Sequence, residues 1–322
     1  MLYHTLRAEP EGCEGRGVFT FALSDEERLI QETARRFARD RLLPGLRAHE
    51  RARGLPRPLV EEFAGLGLGG GEEIGAFTRV LILEELAAVD PGAALALDGE
   101  GLARSFLAEA GPAGHRGIVI EDVEGRFRAH GGKLAGEHPW VPADDVAVAV
   151  IAQPERAFIV REGWQLTPIA ACGLEAAGAS RFVLREAPIA ATLDDARALA
   201  RARAQVRTAV AALLVGAARG AHQYAMRYAT ERTAFGRPIA HHQALAFLIA
   251  DMATMIDVAR LAVWRAAAAL DQGVTAEWEA ASALAEAHSA VSPPSSAAAA
   301  RHTPSRATST PVARSAIRNA RA

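Results

Sequence analysis

The segment Tyr228-Ala229-Thr230-Glu231-Arg232-Thr233-Ala234-Phe235-Gly236-Arg237-Pro238-Ile239, with His242-Gln243 close behind, joins two long stretches of helical period. Upstream, Val206, Val210, Leu213, Ala217, Ala221, Tyr224 and Tyr228 recur at three- or four-residue steps. Downstream, Leu245, Leu248, Met252, Met255, Ala259, Val263 and Ala266 do the same. Gly236 and Pro238 are poor helix formers and mark the bend. The pattern predicts a helical hairpin, with Arg232 near the end of one helix and Gln243 near the start of the next. A cation and an amide at such a bend suit an anionic, hydrogen-bonding ligand. They equally suit a solvated surface turn.

Outward from the hairpin the texture of the chain changes twice. Residues 21–112 read as helical. Ser24-Asp25-Glu26-Glu27 is a capping box ahead of the stripe Leu29, Ile30, Thr33, Ala34, Phe37 and Leu42, and Pro44 is expected to stop that helix. Further helices are expected over Pro58–Leu66, Ile74–Val89 (closed by Asp90-Pro91-Gly92) and Gly99–Ala110. Residues 113–192 hold short β-favouring runs: Gly117–Glu121, Arg126–Ala129, Val146–Ile151, Phe158–Val160, Trp164–Leu166 and Arg181–Leu184. Val146, Val148 and Val150 alternate with alanine, which predicts a half-buried strand in a small antiparallel β domain. Residues 193–288 return to helix. Residues 1–20 read as a loose extension, and 289–322 as a disordered tail.

With 322 residues, half of them hydrophobic and 6% aromatic, the chain can close a large core of Ala, Leu and Val. A formal charge of −2 gives no electrostatic case for nucleic-acid or membrane-surface binding. No apolar run reaches transmembrane length, and residues 1–20 lack the apolar centre of a signal peptide, so a cytoplasmic location is expected. Cys13 and Cys172 show no metal or redox spacing. His241-His242 have no third ligand at metal spacing, so no metal site is expected. The run Gly67–Gly71 follows a helix rather than a strand, which argues against a phosphate cradle.

The stretch "YATERTAFGRPIAHHQALAFLIADM" resembles the hairpin of the acyl-CoA dehydrogenase family, Arg-x-x-Phe-Gly-x-x-Ile-x-x-x-Gln followed by Leu-Ala-Asp-Met. "FALSDEERLIQETARRFARDRLLP" is similar to the family's opening helix. The resemblance covers about residues 21–288 and implies a mainly α fold with a small β domain. In that fold an N-terminal helical domain, a middle antiparallel β domain and an incomplete C-terminal helical bundle follow one another. It also implies FAD, with Arg232, Thr233, Phe235, His242 and Gln243 meeting the adenine-dinucleotide half of a cofactor held mainly by a neighbouring subunit. A homodimer or homotetramer is therefore expected. Trp140 stands for a tryptophan beside the flavin, and Arg207 for an arginine near the acyl-CoA site; each is also readable as structural, one in the β core and one on a helix surface. The implied reaction is α,β-dehydrogenation of an acyl thioester, with hydride passing to flavin N5 and electrons onward to an electron-transfer flavoprotein.

The family's catalytic carboxylate has no counterpart here. One family position for it lies in a C-terminal segment beyond the resemblance. The other immediately precedes Arg207 and is occupied by Val206. The catalytic residue therefore stays unassigned. The flavin-contacting loop has only Leu107-Ala108-Glu109-Ala110-Gly111-Pro112-Ala113-Gly114 near its place, and in His138-Pro139-Trp140-Val141-Pro142 a proline replaces a hydroxyl residue. Residues 291–322 contain five Arg, four Pro and nine Ser or Thr and no Asp, Glu, Leu or aromatic residue, as a shifted frame through GC-rich codons would give. A truncated or frameshifted C terminus is the expectation. Three functions stay open: a dehydrogenase, a non-catalytic structural member, and a related flavin monooxygenase or oxidase.

Overall fold

The computed structural model describes residues 21–69, 74–99, 101–107 and 116–291. The 1–20 extension, the loop candidate at 108–114, Cys13, part of the Gly67–Gly71 run and the tail from 292 lie outside the described residues.

The first helix, α1 (Asp25–Phe37), opens on the expected capping box. Glu27 N–H donates to Ser24 Oγ at 3.2 Å, and Ser24 N–H to Glu27 Oε2 at 2.6 Å. Pro44 does not end the helical path. A π turn over Ala38–Leu42 and a 3-10 turn over Leu43–Gly45 carry the chain directly into α2 (Leu46–Ala52). Pro44 falls in the first turn of the 3-10 segment, where its missing N–H leaves no bond unmade. Next come α3 (Arg57–Gly65) and α4 (Ala76–Ala87). Asp90-Pro91-Gly92 opens a helix as well as ending one. Asp90 Oδ1 accepts from the N–H groups of Gly92 and Ala93, and α5 (Pro91–Leu97) starts with proline at its first position. The helix expected over 99–110 is replaced by a 3-10 segment at Gly101–Phe106.

Among the described residues the β domain holds eight strands in two four-stranded sheets. They are β1 (Gly117–Glu121), β2 (Arg128–His130), β3 (Lys133–Val141), β4 (Val148–Gln153), β5 (Arg156–Val160), β6 (Trp164–Pro168), β7 (Ser180–Pro188) and β8 (Ala191–Leu193). The spatial orders are β1-β4-β5-β8 and β2-β3-β7-β6. Every pair is antiparallel except β1 with β4, which run parallel from Gly117↔Val148 to Glu121↔Ala152. β4 is buried on both faces rather than half-buried. Ala149 and Ile151 enter the core between the sheets with Phe127, Leu134 and Phe182. Val148 and Val150 face the other way, against Leu199, Ala202 and Val206. The alternating partner of each valine is alanine, itself apolar, so both faces can shed water. β3 gave no strand signal because Gly136 and Pro139 interrupt it; the ladder to β7 shifts register between Leu134 and Gly136 and again between His138 and Val141.

The chain then enters α6 (Ala196–Glu231), 36 residues long and about 54 Å from end to end. Asp195 caps it, accepting from Ala198 N–H at 2.7 Å. A two-strand turn, β9 (Thr233–Ala234) and β10 (Arg237–Pro238), leads into α7 (Gln243–Asp271) and α8 (Glu277–Val291). α6 and α7 share one apolar core with α1 and α4, so the N- and C-terminal helices form a single bundle. α6 closes on α4 through Gly216, where a Cβ would stand 2.5 Å from Glu84 O. No helix among the described residues is long and apolar enough to cross a membrane.

Candidate functional site

Arg232 closes α6 by donating its N–H to Tyr228 O at 2.8 Å, and its carbonyl accepts from Ile239 N–H at 2.8 Å. Within that loop Thr233 pairs with Pro238 and Ala234 with Arg237. Phe235 and Gly236 make the turn with φ of 52° and 79°, the left-handed pair that a two-residue hairpin requires. Glycine adopts this conformation freely; phenylalanine does so at a cost. The Phe235 side chain is nonetheless 95% exposed. Its ring meets the edge of His242, centroids 5.9 Å apart. His242 Nε2 lies 3.3 Å from Ala234 O and its Nδ1 3.5 Å from Arg237 Nη2, which fixes the imidazole beneath the turn. The side chains of Arg232, Thr233 and Gln243 are exposed and form no hydrogen bond with other described residues.

The remaining sequence candidates lie elsewhere. Arg207 is 25 residues before Arg232 on the same helix, about 37 Å away along the axis. Its Nε is 3.4 Å from Glu121 Oε1, at the end of β1. Trp140 lies in β3, 36% exposed, and its carbonyl is 2.6 Å from His138 Nδ1. Just beyond it, Pro142 O accepts from Arg116 Nη2 at 2.7 Å. Burial lowers the Arg116 pKa below the ordinary arginine range. Leu95, Asp98, Arg116, Val119 and Pro142 surround a cleft of about 40 Å³ between the 3-10 turn, β1 and the end of β3. Val206 is buried in the apolar layer between α6 and β4, so that position offers no proton acceptor. The structure thus separates the hairpin residues from Trp140 and Arg207.

Sequence reasoning passed over three carboxylates. Glu121 is the partner of Arg207 and carried no signal beyond ending a β-favouring run. Glu84 and Glu85 are 1% and 3% exposed in the middle of the bundle. Their signal was an acidic pair inside the apolar run Leu81-Ile82-Leu83-Glu84-Glu85-Leu86. Glu85 accepts from Arg35 (3.0 and 3.1 Å) and Arg219 (2.7 and 2.8 Å). Glu84 accepts from Arg260 Nε at 2.7 Å and Trp264 Nε1 at 3.3 Å, with Arg219 Nη1 3.2 Å away. Burial pushes the Glu85 pKa up, but the hydrogen bonds from Arg219 and Arg35 outweigh it and leave the carboxyl below its usual range. Both carboxylates are fully engaged in holding helices together.

A helical unit, a two-sheet β domain and a helical bundle, with an Arg-x-x-Phe-Gly turn joining the two longest helices, make up the architectural class that the sequence resemblance implies. Residues 24–116 match the family model "Acyl-CoA dehydrogenase, N-terminal domain", and residues 181–291 match "Acyl-CoA dehydrogenase, C-terminal domain". The chain is 28% identical to the 3-sulfinopropanoyl-CoA desulfinase of Paraburkholderia xenovorans over 305 residues, covering 77% of this chain and 79% of that one. Over 65 residues it is 49% identical to the caffeyl-CoA reductase-Etf complex subunit CarC of Acetobacterium woodii, which is 20% of this chain and 17% of that one. Its fold is similar to that of butyryl-CoA dehydrogenase from Megasphaera elsdenii, with a TM-score of 0.70 at 20% identity, covering 84% and 86% of the two chains. The chain belongs to the acyl-CoA dehydrogenase family.

The family implies FAD, and the donor groups at the hairpin are of a kind compatible with such a ligand. The Arg232 guanidinium, the Thr233 hydroxyl and the Gln243 amide are exposed and unpaired among the described residues, and Phe235 between them in sequence is 95% exposed. On the flavin-ring side Trp140 offers a partly exposed face. Pro142, by contrast, brings no N–H, and its carbonyl is already taken by Arg116.

Proposed function

We propose that this chain is an FAD-dependent oxidoreductase acting on the Cα–Cβ bond of an acyl-CoA-like thioester, assembled as a homodimer or homotetramer. The observation that carries the reading is the turn at Phe235, a left-handed, 95% exposed aromatic in a hairpin whose Arg232, Thr233 and Gln243 side chains are unpaired among the described residues. Arg232 and Gln243 would hold phosphate and ribose oxygens of a neighbour's FAD, Thr233 would add a hydroxyl, and Phe235 would cover the adenine, with His242 keeping the turn in place. Trp140 would flank the flavin and Arg207 would border the thioester. FAD supplies the hydride acceptor of such a reaction. An electron-transfer flavoprotein is the expected acceptor, in keeping with the Etf-complex subunit to which the chain is similar.

A second reading follows from Val206. The site next to Arg207 holds a buried valine, and Glu121, Glu84 and Glu85 are all ion-paired. A family member in this state could lend its hairpin to another subunit's cofactor without turning over substrate. The visible absorption spectrum of the purified chain tests both. Lack of a flavin band would sink the first reading. A flavin band that no acyl-CoA of a chain-length panel bleaches under anaerobic conditions would favour the second.

A further inference from the structure

The His242 imidazole has its tautomer set by the chemistry of its two neighbours. A carbonyl only accepts, so the 3.3 Å contact with Ala234 O places a hydrogen on Nε2. A guanidinium only donates, so Arg237 Nη2, 3.5 Å from Nδ1, meets a lone pair there. One form of the ring satisfies both, neutral and protonated at Nε2. The backbone of the residue is held separately. Its N–H donates to Ile239 O at 3.1 Å and its carbonyl accepts from Ala246 N–H at 3.0 Å, where a 3-10 turn (Ile239–His241) meets α7. The direction of the ring is therefore left to Ala234 and Arg237, and Phe235 rests against that ring.

In mild acid an imidazole takes up a proton at its remaining nitrogen. At His242 that nitrogen is Nδ1, so the lone pair becomes a donor and an imidazolium faces a guanidinium across 3.5 Å. Two donors of like charge repel at that distance, and the pair has to part. Neither side chain has a carboxylate partner among the described residues to offset this. The other charged or titratable groups at this end of the hairpin are Arg227, Tyr228, Glu231, Arg232, His241 and Asp251. All are exposed, and none is ion-paired among the described residues.

We propose that Arg237 makes the hairpin acid-sensitive, given the cofactor role proposed above for its turn: His242 props Phe235 toward FAD while neutral and is pushed out of place once protonated. Equilibrium dialysis of the full flavin-bearing chain at about pH 8 and about pH 5.5, at constant ionic strength, gives the FAD Kd on either side of imidazole protonation. The wild-type Kd is expected to be about tenfold higher in acid. His242→Gln keeps a donor for Ala234 O but takes up no proton, and Arg237→Met removes the opposing cation. In each variant the acid-to-base ratio of Kd should fall below about threefold, with an unchanged circular dichroism spectrum. A second measurement needs no flavin. In the imidazole nitrogen-15 spectrum at about pH 8, the histidine signal lost in His242→Gln should show a bare Nδ1 and a protonated Nε2. A chain without flavin at either pH overturns the cofactor role, and acid-sensitive retention with it. In a flavin-bearing chain, a proton on Nδ1 in that spectrum, a wild-type Kd ratio in both variants, or tighter FAD binding in acid overturns the proposal and leaves the cofactor role standing.

Discussion

Glu85 shows how a single residue can set conditions on the whole bundle. Its carboxylate has left water almost completely and is repaid by four hydrogen bonds from two arginines. Glu85→Ala leaves Arg219 buried without its main partner and should cost about 3–5 kcal/mol in urea unfolding. The pH dependence follows from the direction of the shift. The folded-state pKa lies below the unfolded value of about 4.3, so the contribution is complete above that pH. It disappears as pH falls through the lower folded-state value. The wild-type denaturation midpoint should drop in that acid window, and by less in Glu85→Gln. Phe235 is the opposite case. Being 95% exposed in a left-handed turn, it contributes little to folding. Phe235→Ala should move the melting free energy by no more than about 0.5 kcal/mol, while the flavin retained per chain falls. Unchanged flavin content would remove Phe235 from the cofactor site.

At the scale of elements, the long helices were readable and the junctions were not. The period of α6 and α7 is carried by many residues, and no local substitution could mask it. Pro44, Asp90-Pro91-Gly92 and Gly136-Pro139 are the places where reading failed. Proline and glycine signal a change of backbone without saying whether an element ends or begins. At Asp90 the deciding fact was a side chain accepting from Gly92 and Ala93, which turned a stop into a cap. The close approach of α6 to α4 was equally silent in sequence. Gly216 looks like a helix weakener, yet a Cβ there would press on Glu84 O and on the Ala87 Cβ, at 2.5 and 2.8 Å. Gly216→Ala gains about 1 kcal/mol of helix propensity but must push the two helices apart, at about 1–3 kcal/mol. Net destabilisation in thermal or chemical melts is the expected result. A stabilised variant would show that the helix pair can shift freely.

Across the whole molecule, the order helical, β, helical was legible because texture changes over tens of residues. The candidate site was legible only in part. The hairpin has a fixed spacing and was read from it, whereas Glu121 meets Arg207 only after β1 and α6 cross. The attachment of the β domain to the helices was also hidden. Arg53, left-handed at φ 55°, ends α2 and reaches both oxygens of Asp144 and the carbonyls of Ile169 and Ala179. Asp144→Ala should loosen that attachment. Amide exchange would then rise around Ile169–Ser180 while the helical bundle keeps its protection.

The carboxylates of α4 also set a timetable for synthesis. Arg219 lies 134 residues beyond Glu85, and Arg260 lies 176 beyond Glu84. A ribosome therefore releases α1–α5, with Arg35 already beside Glu85, long before Arg219 and Arg260 exist. Until α6 and α7 emerge, α4 cannot give up its water without stranding Glu84 and leaving Glu85 with Arg35 but without Arg219. The N-terminal helices must wait, partly open, for the second half of the chain. Their final closure is a late, long-range event, and it falls in the interval when a holding chaperone has most to protect.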